Sequence, residues 1–194
     1  MKISTLAIVV GLLALLLIGG CNSYNGFVNS EEEVKQSWSN VQSQYQRRSD
    51  LIPNLVATVK GAADFERGTL EAVTNARARA TSVNIDPSNL SPEALQQFQA
   101  AQGEVSSSLS RLLVSVERYP ELKANSNFRD LSVQLEGTEN RIAVARDRFN
   151  EQVTTYNKSV RKFPASFFAG IFGFGTKGQF ESEAGSETAP KVEF

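Results

Sequence analysis

The chain has 194 residues, 20 lysines and arginines against 21 aspartates and glutamates, a net charge of −1 and no histidine. That length fits one domain with a substantial core, and the near-neutral charge carries no electrostatic footprint for nucleic acid and no polybasic membrane patch. Without histidine there is no His-based general base, catalytic triad or His zinc site, and the lone Cys21 excludes an internal disulfide framework.

The chain opens Met1-Lys2, runs uncharged and apolar over residues 6–18, and then reads Gly19-Gly20-Cys21. One cation, a short apolar stretch, two small residues and a cysteine form the layout of a bacterial lipoprotein signal, cut before Cys21, with the lipid on its sulfur. The run is as long as a signal-peptide core and shorter than the roughly 20 residues that cross a bilayer. Each buried methylene of an acyl chain contributes about 0.8 kcal/mol, so several chains on one cysteine anchor firmly. The alternative is an uncleaved membrane helix through Cys21. Both readings predict an anchor over 1–20, a short tether over 21–29 with Cys21 lipidated in the first, and a body on the extracytoplasmic face of a bacterial membrane.

Ser30-Glu31-Glu32-Glu33 predicts a helix start, with Ser30 capping the first amides and Glu33 reaching back. The seam that follows is Val34, Trp38, Val41, Tyr45, Arg48, Ile52, Leu55, Val59, Ala62, Glu66, Thr69, Val73, Ala76 and Ala80. Its alternating steps of four and three make a stripe that packs against other helices. Pro53 removes one helical hydrogen bond, and Gly61 and Gly68 weaken the segment further on. The expectation is a bend near residues 50–53, and two helices in place of one.

Residues 81–90 read as a loop, after which Ser91-Pro92 opens a helix with serine as cap and proline at the first helical position. Its seam runs from Leu95 to Tyr119, and Pro120 ends it. Asn127 is the expected cap of the last long helix, whose seam runs from Phe128 to Phe163. Lys158, Arg161 and Lys162 sit in its last turns, where cations are favoured, and Pro164 closes it. The prediction is an all-α, up-and-down antiparallel bundle of three to four long helices over residues 30–175, the first kinked near Pro53. The aromatic, glycine-rich residues 167–174 either fold back over one end of the bundle or contact a membrane or partner. Residues 176–194 read as a flexible tail.

Residues 47–56, Arg-Arg-Ser-Asp-Leu-Ile-Pro-Asn-Leu-Val, are too particular for a generic helix. They resemble the signature of the LemA family. So do Tyr24-Asn25, Val59-Lys60-Gly61, Glu66, Ala76-Arg77-Ala78, residues 117–125, Glu136-Gly137-Thr138-Glu139-Asn140-Arg141-Ile142, Ala145-Arg146, Phe149-Asn150, Tyr156-Asn157 and Phe163-Pro164. The resemblance covers nearly the whole chain after Cys21. It implies a helical-bundle extracytoplasmic domain held to a bacterial membrane by its N-terminus, in a family without an agreed biochemical activity. Members usually keep an uncleaved N-terminal helix, a pattern from which Gly-Gly-Cys departs.

Arg48 and Glu66 interrupt the apolar seam. Arg47, Asp50, Pro53, Asn54, Glu139, Asn140, Arg146 and Asn150 lie in the other specific motifs. Together they read as polar layers that set helix register, or as a surface that binds a partner. Asn140, Asn150 and Asn157 are candidates to hold the carbonyl of Ser49 freed by Pro53. Arg67, Arg77, Arg79, Arg111, Arg118 and Arg129 read as solvated surface. No catalytic set, metal site or cofactor is expected. The predicted role is a non-enzymatic membrane-anchored scaffold. Its expected partners are the membrane and another envelope protein, with self-association as an option. The alternatives are an accessory or sensor subunit of an envelope transport or protein-quality complex, and a lipid-binding or membrane-remodelling protein.

Overall fold

The computed structural model describes residues 2–61 and 66–181. These form six helices, α1 (Lys2–Lys60), α2 (Arg67–Ser82), α3 (Pro92–Val116), α4 (Pro120–Ala124), α5 (Ser126–Arg161) and α6 (Ala165–Phe172). No strand occurs among the described residues, so the fold class is all-α.

The seam of α1 is buried along its described length: Val34, Trp38, Val41, Tyr45, Arg48, Ile52, Leu55 and Val59 all lie in the core. Ala62 falls outside the described residues. The start of this helix differs from the expectation. α1 begins at Lys2 and passes through residues 21–29, so Ser30 is interior and caps nothing. A serine caps a helix only where the preceding chain is not already helical. No proline stands between Lys2 and Ser30, and the leucine-rich run before them favours the helix. Glu31 and Glu32 serve instead as side-chain partners of Lys35 on the same helix, at 3.8 and 2.7 Å.

Pro53 lies inside α1, and the helix ends at Lys60, with Gly61 in a turn. The expected division into two helices therefore falls at Gly61, not at residues 50–53. Glycine carries the largest conformational entropy cost in a helix, about 1 kcal/mol relative to alanine.

α3 begins as its sequence predicts, with Pro92 in its first turn and the Ser91 hydroxyl accepting the amide of Ala94 at 3.2 Å. Pro120 opens the short α4. α5 starts at Ser126 because Asn125 Oδ1 accepts the amide of Phe128 at 3.2 Å; Asn127, the expected cap, is already inside the first turn.

The chain divides into two compact units. Unit one gathers Met1–Arg48, Pro87–Asn89 and Leu135–Lys177. Its core centres on Trp38 against Phe149, ring centroids 5.4 Å apart, with Val34, Val41, Ile142, Val153 and Tyr156 also buried. Unit two takes residues 49–86, 90–134 and the chain from Gly178 on. There α2 packs on α3, burying Leu70, Val73 and Ala76 from one and Leu95, Val105, Leu109 and Leu112 from the other. Its last described segment is held down. The amide of Gly178 donates to the Leu90 carbonyl at 2.9 Å, Phe180 packs on Phe98, and Gln99 Nε2 donates to the Glu181 carbonyl at 3.0 Å. A Cβ at Gly178 would stand 2.8 Å from the backbone nitrogen of Pro92, so only glycine fits this approach. The tail beyond Glu181 lies outside the described residues.

Candidate functional site

Arg48 is the one charged side chain among the described residues that stands fully inside a core, at 1% exposure. It lies in unit one on the seam of α1, three residues after Tyr45. Its Nη1 donates to Glu139 Oε1 at 2.7 Å across 91 residues of sequence, and its guanidinium lies 5.1 Å from the centroid of the Tyr45 ring. Glu139, on α5, keeps 43% of its side chain exposed, so the pair has one dry end and one wet end. A charge-assisted bond and a cation–π contact together offset part of the cost of removing the guanidinium from water. Arg146 completes the cluster, bonded to the Tyr45 phenol. Burial pushes that phenol above its ordinary value, against the opposing positive charges of Arg146 and Arg48.

A second buried cation in the same unit escapes sequence reading altogether. Lys177 is 7% exposed in its side chain and its Nζ lies 2.9 Å from Glu31 Oε1 and 5.3 Å from the Tyr156 ring centroid. Nζ also donates to the Ser88 carbonyl at 3.4 Å. Asn157 holds the backbone at the same point. Its Oδ1 accepts the Lys177 amide at 2.8 Å and its Nδ2 donates to the Lys177 carbonyl at 2.9 Å. The asparagine amide thus mimics a paired strand for one residue. Tyr156 is buried, and burial first, then the negative charge of Glu31, push its phenol up to about 12. The one available signal is Tyr156-Asn157 among the motif residues, whose asparagine holds Lys177 and not the Ser49 carbonyl.

Of the remaining polar-motif residues in unit one, Arg47 and Asn140 are exposed, and Asn150 is half-buried with its carbonyl accepting the Thr154 hydroxyl at 2.8 Å. In unit two, Asp50, Pro53 and Asn54 are exposed, and Glu66 meets Arg118 at 3.7 Å on the surface. The carbonyl that Pro53 releases has a different partner from the one expected. Arg77 Nε, from α2, donates to the Ser49 carbonyl at 2.8 Å. Arg77 is half-buried and structural, not solvated surface. An arginine suits this task better than an asparagine, because its long fork reaches a neighbouring helix and never loses its charge.

The two clusters join paired cations, carboxylates and un-ionised phenols. Such groups can fix helix register and hold a segment in place. They contain no nucleophile set beside a base.

At the other end of α1, residues from Ala7 onward form a stretch long and apolar enough to cross a membrane. Ile8, Val9, Val10, Leu12, Leu13, Leu15, Leu17 and Ile18 are all more than half exposed, so the described chain does not cover them.

The sequence profile of the LemA family matches residues 37–194. The chain is similar to Magnetosome protein MamQ of Magnetospirillum gryphiswaldense, 27% identical over 207 residues that cover 97% of this chain and 74% of the relative. Magnetosome protein MamQ 1 of Paramagnetospirillum magneticum matches with the same identity and coverage. Protein LemA of Metamycoplasma hominis is 22% identical over 154 residues, 79% of this chain and 65% of that one. A profile that spans most of the chain, over the stretch that holds the Arg48–Glu139 pair and the Asn157 clamp, shows that the chain belongs to the LemA family.

Proposed function

We propose that the protein is a membrane-tethered, non-enzymatic helical module of the bacterial cell envelope. It works by presenting helical surfaces to another membrane or envelope protein. The observation that carries this reading is the continuity of α1. One unbroken helix leads from an exposed apolar stretch into the buried seam of unit one, from Ile8 to Trp38 and Arg48. A partner bound along α1 is therefore coupled to the membrane segment without a flexible joint. The body, residues 30–175, stands on the extracytoplasmic side, with up-and-down antiparallel connectivity and a bend of α1 at Pro53 as parts of the proposal. The anchor is either acylated Cys21, which is exposed, or residues 1–20 retained as a spanning helix. Intact mass separates the two: fatty acids on a chain that begins at Cys21, or an unmodified full-length chain.

Arg48, Glu139 and Arg146 serve as a register lock, and the exposed Asp50, Pro53 and Asn54 as part of the partner-facing surface. Crosslinked recovery of the tagged protein from native membranes tests the whole reading. A reproducible membrane or envelope protein is expected, retained by an Arg48→Ala variant of lower stability and lost by an Asp50→Ala/Asn54→Ala variant that stays folded. Recovery of the protein with itself alone would overturn the partner reading.

A further inference from the structure

The tether leaves α6 without a purpose. Its inner face is seated on α1: Phe168 lies over Gly19 and Gly20, and a Cβ at Gly20 would come within 3.3 Å of the Phe168 ring. Phe172 meets Tyr24 edge-on at 5.2 Å, and Phe174 packs on Tyr24 and Phe27 at 5.7 and 5.2 Å. The outer face is bare. Phe167 and Ile171, four residues apart on that helix, are 61% and 62% exposed, and Phe163 just before it is 90% exposed. Large apolar side chains left open in this way mark a surface that meets something other than water.

Position along α1 says what that is. At 1.5 Å per residue a helix crosses a hydrocarbon core of about 30 Å in roughly 20 residues. Counted from Lys2, the crossing ends near Cys21, between the two seats of α6 on Gly20 and Tyr24. Acylation of Cys21 would bring the bilayer surface to the same turn. Charge agrees with this level. Residues 158–177 contain no acidic residue, and three of their four cations, Lys158, Arg161 and Lys162, are exposed, the fourth, Lys177, being paired with Glu31. Residues 1–30 contain no acidic residue either. The first carboxylates along α1 are Glu31, Glu32 and Glu33, of which Glu31 and Glu32 are ion-paired. Aromatic side chains at a membrane exit, flanked by cations and free of carboxylates, suit the interface of an anionic bilayer.

We propose that α6 is an interfacial foot. Phe163, Phe167 and Ile171 enter the edge of the acyl region beside α1, while Lys158, Arg161 and Lys162 meet anionic headgroups. The proposal rests on the membrane tether above, and adds to it a second, lateral lipid contact that would fix the tilt of unit one against the bilayer.

The test uses the full chain, residues 1–20 included, in a Cys21→Ser background. It is reconstituted in liposomes of phosphatidylcholine and phosphatidylglycerol whose upper acyl chains are brominated. A fluorophore is attached at Ile171→Cys, at Phe167→Cys, or at Ser39→Cys farther along α1. An interfacial helix buries its apolar face to about 5–10 Å, so both α6 probes should lose about half their emission while the Ser39→Cys probe keeps its own. Protein that floats with the liposomes but shows equal, weak quenching at all three sites overturns the foot and leaves the tether standing. Protein that fails to float overturns the spanning-helix tether and the foot with it. Unquenched α6 probes that crosslink between copies would assign the face to self-association and likewise overturn the lipid contact.

Discussion

Arg48 and Lys177 are two solutions to one problem, a cation buried in unit one. Each lies near a tyrosine ring, and each pairs with a glutamate that retains contact with water. They differ in what they hold. Arg48 joins α1 to α5, helix to helix. Lys177 holds an irregular segment, and its backbone needs Asn157 as well, because no helix satisfies its amide and carbonyl. The same ion-pair chemistry sets register where both partners are regular, and replaces secondary structure where one partner has none.

The comparison breaks hardest at Arg48. Arg48→Ala leaves Glu139 without its partner and opens a void in the core, and should cost about 3–5 kcal/mol by denaturant unfolding. Combining it with Glu139→Gln should cost less than the two single changes added, since they remove one interaction. Loss of less than about 1 kcal/mol would show the pair to be solvated.

Alkaline pH tests the Lys177 end. The Tyr156 phenol stands at 10.0 when unfolded and is pushed up to about 12 in the fold. Its contribution is complete below pH 10 and is lost as pH rises through about 12, because the unfolded chain ionises first. Stability should therefore fall across that window, and Tyr156→Phe should flatten the fall. An unchanged slope in Tyr156→Phe would remove the phenol from the account.

Asn157→Ala removes both bonds to the Lys177 backbone and should cost about 1–3 kcal/mol. Hydrogen exchange should accelerate at Lys177 and hardly at Trp38, which separates a clamp on a segment from a lock on the core. Arg77→Ala orphans the Ser49 carbonyl in unit two and should cost about 1–2 kcal/mol, with Arg77→Lys a poor rescue. Smallest of all is Arg79→Ala. Its pair with Glu104 is more than half exposed on both sides, so the change should stay within about 0.5 kcal/mol. An effect there as large as at Arg77 would erase the distinction between buried and surface arginines.

Much of this is legible in the sequence. The three-and-four spacing from Val34 to Val59 named buried positions one by one, including Arg48, because a helix turns every 3.6 residues whatever surrounds it. Ser91-Pro92 announced α3 because a cap and a proline act on their own neighbours. Ser30 failed at that same local level. Capping signals mark where a helix can begin, and the residues before it were already helical.

The helical class, the apolar seam, the apolar N-terminal stretch and membership of the LemA family are written in residue order, spacing and side-chain type. The partners that the polar residues take are set by packing between distant segments. Arg48 found Glu139 91 residues away, Arg77 found a carbonyl that Pro53 had freed, and Lys177 found Glu31 and Asn157. A buried charge or an orphaned carbonyl states its demand locally, while the group that meets it is chosen by how distant segments fold together.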